Sequence, residues 1–269
     1  MADVEIRPAR AEDSSEIVQL IRDGTDPSVI DKLIYGCAGA PAYVQSHIEA
    51  GVPTNRRYFV ATRGGRTVAC ADFTVSIDVL SLKYIATAPH ARRQGIGNAL
   101  LGFAISNLHG RQTWVELDVS VDNAAALSWY EALGFTAVSQ VAYWEFANDA
   151  RLDRPTMEIP DWPQAQTCHA TFGFSEFHLE TPSMRLKVGR VGGAWFRLPT
   201  AGAVCDPDVR GALGAIDPGR QIYAVLPSDP TAPWVEAHGR RIRAAQHMRT
   251  ALPALCRRFE RSQASSPER

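Results

Sequence analysis

Residues 57–79, RYFVATRGGRTVACADFTVSIDV, hold two apolar, β-rich runs that meet at Gly64-Gly65. The favoured two-residue hairpin turns need positive φ at one or both positions, and glycine takes that conformation without a Cβ clash. The first half of the chain therefore contains an antiparallel sheet, which excludes an all-helical fold. Residues 4–9 read as a strand, and AEDSSEIVQLIRDGT as a helix with Ile17, Leu20 and Ile21 at helical spacing and Asp13 or Ser14 at its cap. Residues 28–47 read as helical, with breaks at Gly36 and Gly39. After the hairpin come a strand (LKYIATA), a helix (RRQGIGNALLGFAISNLHG), a strand (TWVELDV), a helix (NAAALSWYEALG) and a strand (FTAVSQVAYWEFA). The pattern predicts a mixed α/β (α+β) unit ending near Ala147.

Pro155, Pro160 and Pro163 follow in a stretch with no periodic apolar face, which predicts a linker over 149–165. Strand-like runs resume in CHATFGFSEFHLE and SMRLKVGRVGGAWFRL. After these come a helix opened by Asp206-Pro207, the strand QIYAVLP and a helix in TAPWVEAHG. This order echoes the one between Leu82 and Gly134, as a faded internal duplication would. The expected organisation is a first domain over 1–148, the linker, a smaller α+β domain over 166–252 and a frayed tail over 253–269.

Charge and composition narrow the function classes. The 269 residues carry 28 Lys+Arg against 29 Asp+Glu, a formal net charge of −1. Such a chain has no polyelectrolyte attraction to nucleic acid or to an anionic membrane, so neither is an expected partner. No run reaches the roughly 18 to 20 apolar residues that span a bilayer. The charged N-terminal segment lacks a signal-peptide core, and the cytoplasm is the expected location. Five scattered cysteines without C-x-x-C spacing, and no histidine pair at metal spacing, predict neither disulfide nor metal.

Two segments carry chemistry. The first is Arg92-Arg93-Gln94-Gly95-Ile96-Gly97-Asn98, between a predicted strand and a predicted helix. Glycines there let backbone approach a bulky anion, and the helix start presents unpaired N–H groups and the positive end of its dipole. That combination binds pyrophosphate, with Arg92 and Arg93 adding charge-assisted contacts. Alone, the same pattern describes a tight turn. The second is Leu117-Asp118-Val119 followed by Asn123, Ala126, Tyr130 and Gly134-Phe135. Asn123 opens a helix, and Tyr130, seven residues on, lies on the same helical face.

In order, spacing and context the two segments together resemble the cofactor motif and the Asn-x-x-Ala-x-x-x-Tyr-x-x-x-Gly-Phe helix of the GNAT superfamily of N-acetyltransferases, over roughly residues 3–147. The resemblance implies a GNAT fold, a mixed and mostly antiparallel central sheet flanked by helices. The C-terminal region then reads as a degenerate second GNAT-like unit, with Ser228 and Val235 opposite Asn123 and Tyr130. The implied activity is acetyl transfer from acetyl-CoA to a primary amine, with no metal. Residues 92–98 would hold the cofactor, together with Asn123, Ala126, Tyr130 and the backbone of Ile85, Ala86 and Thr87, one N–H of which would polarise the thioester carbonyl. Tyr130 would protonate the departing thiolate; its plainer reading is a core aromatic beside Trp129.

The proton acceptor is open among Asp118, Glu116 two residues before it on the same strand face, and a relaying water. Ser81 stands where a central-strand base would be. No cysteine lies in either motif, so direct attack is expected rather than a covalent relay. The expected acceptor is a small-molecule amine, and a homodimer is compatible with the sequence. Alternatives are a non-catalytic acyl-CoA-binding module and a protein acetyltransferase whose second domain recruits its substrate.

Overall fold

The computed structural model describes residues 4–50, 55–108, 110–149, 155–228 and 232–264, with side chains to 261. In chain order the elements are β1 (Val4–Pro8), α1 (Ser14–Gly24), α2 (Pro27–Ile30), α3 (Ala40–Glu49), β2 (Arg56–Arg63), β3 (Arg66–Val75) and β4 (Val79–Thr87). Next are α4 (Ile96–Leu108), β5 (Trp114–Ser120), α5 (Ala124–Ala132), β6 (Thr136–Phe146), α6 (Trp162–Phe172), β7 (Phe174–Glu180), β8 (Arg185–Val191) and β9 (Trp195–Leu198). The chain ends through α7 (Ala201–Cys205), α8 (Pro207–Ile216), β10 (Gln221–Pro227), α9 (Pro233–His238), β11 (Gly239–Ala251) and α10 (Leu252–Ala264).

These elements form two compact units, one of residues 1–25, 41–139 and 246–269, the other of 26–40 and 140–245. In the first, the strand order is β1-β2-β3-β4-β5, then the C-terminal part of β11 and the start of β6. Neighbours from β1 to β4 are antiparallel, and β4 and β5 are parallel. Gly64 and Gly65 make the β2–β3 turn at φ 58° and 78°, as the sequence predicts.

Residues 58–62 of β2 and 67–73 of β3 are buried without a break, so both sheet faces are covered. On one face Phe59, Ala61, Ala69, Ala71 and Phe73 join Leu100, Leu101, Ala104 and Ile105 of α4 in a single cluster. On the other, the Cys70 thiol points at the Ile17 carbonyl of α1, 3.8 Å away.

The second unit orders its strands β6-β10-β9-β8-β7, with β10 antiparallel to β6 and parallel to β9. Phe177, Phe196, Ile222, Val209 and Leu213 are central to its core. Segment 26–40 is pinned there by Lys32, which is buried and paired with Asp31 and Glu145 at 2.8 and 2.9 Å. The Tyr223 hydroxyl also donates to the Lys32 carbonyl at 2.6 Å.

The structure groups residues differently from the expected boundaries. The segment expected as a tail over 253–269 is helical through Ala264, with Leu255 and Phe259, like Leu252 just before it, buried in the first core. Residues 162–165 of the expected linker open α6, where Pro163 occupies the first turn rather than breaking a helix; residues 150–154 lie outside the described part. Cys168–Phe172, read as strand, completes α6, which ends at Gly173 with φ 79°. Strand β11 escaped the sequence reading. No described helix is long and apolar enough to cross a membrane.

Candidate functional site

β4 and β5 pair from Val79↔Trp114 to Leu82↔Leu117, and there the pairing ends. β4 nevertheless continues through Thr87 and β5 through Ser120, so the two strands part into a fork. On the other edge of β4 the register jumps from Phe73↔Leu82 to Asp72↔Tyr84. That bulge at Lys83 adds local twist where the strands diverge. Ile85, Ala86 and Thr87 are only half-buried although their strand is central, as expected of backbone whose β5 side is open.

One arm of the fork feeds the turn over residues 92–97. Arg92 Nε donates to the Thr87 carbonyl at 3.0 Å, and Gln94 donates to the His90 carbonyl at 3.0 Å while accepting from Arg63 at 2.8 Å. These bonds fix a loop in which Arg93 and Gly95 both have positive φ, 59° and 79°. For Gly95 this costs little; for Arg93 it is an uncommon conformation. Arg92, Arg93, Gln94 and Gly95 are exposed, Ile96 anchors the turn in the core, and Gly97 and Asn98 are half-buried in the first turn of α4. The amides of that turn have no intrahelical acceptor. The arrangement fits an anionic diphosphate.

Beyond β5, Asn123 caps α5: its side-chain oxygen accepts from the Ala126 amide at 3.1 Å. Asn123→Ala is expected to cost about 1 kcal/mol of stability, read by urea denaturation; an unchanged midpoint would show the cap to be idle. The far end of α5 explains why Gly134 and Phe135 accompany Tyr130. Gly134, at φ 87°, donates to the Glu131 carbonyl, and Phe135 donates to the Tyr130 carbonyl at 3.0 Å. This is a Schellman cap. Its apolar contact is the edge-on packing of Tyr130 on Phe135, with centroids 5.6 Å apart. Tyr130 is 6% exposed and lies in the main core cluster. Burial pushes its phenol well above the ordinary range, so it stays protonated.

On β5, Glu116 and Asp118 share a face, as alternation requires. Glu116 accepts the Ser81 hydroxyl at 2.7 Å, which explains the serine at that place on the central strand. Both carboxylates also meet a residue that sequence reading missed. His247 of β11 places Nδ1 2.9 Å from Asp118 and Nε2 3.6 Å from Glu116. Arg249 lies 3.5 Å from Glu116. Neither β11 residue carries a local signal, because the partners stand more than a hundred residues apart. Among the described residues no cluster of three or more metal-ligating side chains occurs.

In the second unit, α9 is a six-residue helix with Val235 buried where the duplication places the counterpart of Tyr130. That helix has no phenol to offer.

Comparison with known proteins bears on family and fold. A family model described as "Acetyltransferase (GNAT) domain" matches residues 54–137. The [ribosomal protein bS18]-alanine N-acetyltransferase of Escherichia coli is 36% identical over 105 residues, covering 38% of this chain and 70% of that protein. A tandem GNAT protein from the clavulanic acid biosynthesis pathway superposes with a TM-score of 0.63 at 14% identity, over 93% of this chain and 99% of the other. A GCN5-related N-acetyltransferase from Sphaerobacter thermophilus does so at 0.57 and 14% identity, over 93% and 96%. At that identity these structures speak for the fold alone, and the fold they share with this chain spans both units. This chain belongs to the GNAT superfamily and is an acetyl-CoA-dependent N-acetyltransferase with a second GNAT-like unit.

Proposed function

We propose that the first unit moves an acetyl group directly onto a primary amine at the β4–β5 fork, and that the acceptor is the α-amine of a peptide or protein. The fork itself carries this reading: pairing stops at Leu82↔Leu117, with the turn over 92–98 beyond the end of one arm, Asp118 the first residue of the other, and Glu116 in the last paired stretch before it. Bound acetyl-CoA supplies an activated acyl carbon and a leaving thiolate. Residues 92–98 hold its diphosphate, and Asn123 and Ala126 border its pantetheine arm. Backbone of Ile85, Ala86 and Thr87 lines the arm and offers an N–H to the thioester oxygen. Asp118, with Glu116 beside it, takes the proton released as the amine nitrogen forms its new bond. Tyr130 gives its proton to sulfur.

The relative at 36% identity is named a [ribosomal protein bS18]-alanine N-acetyltransferase; alanine has no side-chain amine, and this favours a peptide α-amine as acceptor over the small-molecule amine expected from sequence. Thiol release and product mass should be followed with three probes: alanine-initiated peptides, the same peptides carrying a blocked α-amine and one lysine, and aminosugars or polyamines. Turnover with the first and not the second is expected. Turnover confined to the small amines would overturn the acceptor assignment. Absence of thiol release with all three, despite coenzyme A binding, would remove the catalytic reading of the fork.

A further inference from the structure

We infer that His247, from the C-terminal strand β11, is a positioning residue for acetyl transfer, holding Asp118 where β5 parts from β4. The inference rests on the proton-accepting role proposed for Asp118. That carboxylate is 53% exposed as a side chain, and it follows directly on the last paired residue of β5, Leu117. An exposed aspartate in such a place samples several rotamers. His247 removes that freedom. Its Nδ1 lies 2.9 Å from Asp118 Oδ1, while its own side chain is only 24% exposed.

The other end of the imidazole faces a second carboxylate. Nε2 faces Glu116 at 3.6 Å, and Glu116 is itself held by the Ser81 hydroxyl at 2.7 Å and by Arg249 at 3.5 Å. The groups facing His247 are therefore Asp118 and Glu116 from β5, with Arg249 beside it on β11; residues 136–139 of β6 hold no titratable side chain. Ser81, Glu116, His247 and Asp118 form a chain that runs from the last paired residues of β4 and β5 to the first unpaired residue of β5.

The step balances as follows. The amine nitrogen forms the C–N bond and yields one proton to the Asp118 carboxylate. The C–S bond breaks, and sulfur takes one proton from Tyr130. Asp118 then releases its proton to water, and Tyr130 regains one. His247 undergoes no net change; it sets the direction in which Asp118 accepts. Misplacing a reacting group by an ångström can cost roughly 10²-fold, so an unheld Asp118 is a slow one.

The test compares kcat/KM for the amine in His247→Ala, His247→Asn and His247→Gln, each also in an Asp118→Asn background. An asparagine amide N–H sits where Nδ1 was, whereas the glutamine amide sits nearer Nε2. His247→Ala is expected to lower kcat/KM by roughly 10- to 100-fold with the KM for acetyl-CoA unchanged. Asparagine should recover most of the loss and glutamine little. In the Asp118→Asn background His247→Ala should change little, because coupled groups are not additive. Equal loss in both backgrounds, or no loss from His247→Ala while Asp118→Asn is slow, overturns the inference alone. No loss from Asp118→Asn overturns the base assignment beneath it. Asparagine rescue also separates these outcomes from simple misfolding.

Discussion

Tyr130→Phe is expected to lower kcat by roughly 10²-fold or more while leaving coenzyme A affinity, measured by calorimetry, within about twofold. The ring makes this a clean comparison. Tyr130 packs edge-on against Phe135 and lies 4.8 Å from the Trp129 ring, inside the main core cluster. Phenylalanine keeps all of that surface, and losing a hydroxyl at a largely buried site changes stability little. Only the proton is removed. Because burial holds the phenol well above its ordinary pKa, the group remains the protonated donor throughout the physiological range. Any alkaline loss of rate near neutral pH should then persist unchanged in the variant. Equal kcat in the two proteins would leave Tyr130 as a core aromatic and nothing more.

What the sequence made legible was local. Gly64-Gly65 announced its hairpin because the turn demands positive φ at both places. The Asn123–Phe135 helix was readable because cap, helix and stop lie within one short run. The capping bond of Asn123 and the paired bonds at Gly134 and Phe135 reproduce that reading. The misses came from pairings across the chain. β11 reads GRRIRAAQHMRTA, with arginines interrupting any alternation, and its half-buried pattern arises from neighbours far away in sequence. His247 carries no local signal for the same reason: its nearest partner, Asp118, is 129 positions away.

The helix α10 is a different case. Leu252, Leu255 and Phe259 stand at i, i+3 and i+7, an amphipathic spacing that is visible without a structure. The polar run RSQASSPER that follows it suggests a frayed tail, but the burial of these three side chains makes the periodicity the stronger signal. In the same way Pro163 read as a breaker when it stands in the first turn of α6, where proline is at home.

Ending the chain at residue 245 is expected to unfold the first unit rather than trim it. The cut removes Met248, Leu252, Leu255 and Phe259, all buried in the cluster that contains Tyr130. Each such side chain contributes about 1.5–3 kcal/mol when buried, so the four together contribute on the order of 6–12 kcal/mol. A domain of this kind has a total stability of about 5–15 kcal/mol, so the two figures are comparable. The cut also removes His247 from Asp118 and Arg249 from Glu116. A milder change probes the same packing: Phe259→Ala empties the space where the ring meets Gly102, whose added Cβ would stand 3.0 Å from the ring. That variant should remain folded but lose about 3–5 kcal/mol. Chemical denaturation and hydrogen exchange on α4 read both effects. If residues 1–148 alone melt cooperatively and bind coenzyme A, the C-terminal segment is dispensable and the first unit ends where its sequence motifs end. If they do not, the catalytic unit closes only when the last strand and helix of the chain have been made, and every residue between must be synthesised before the fork is complete.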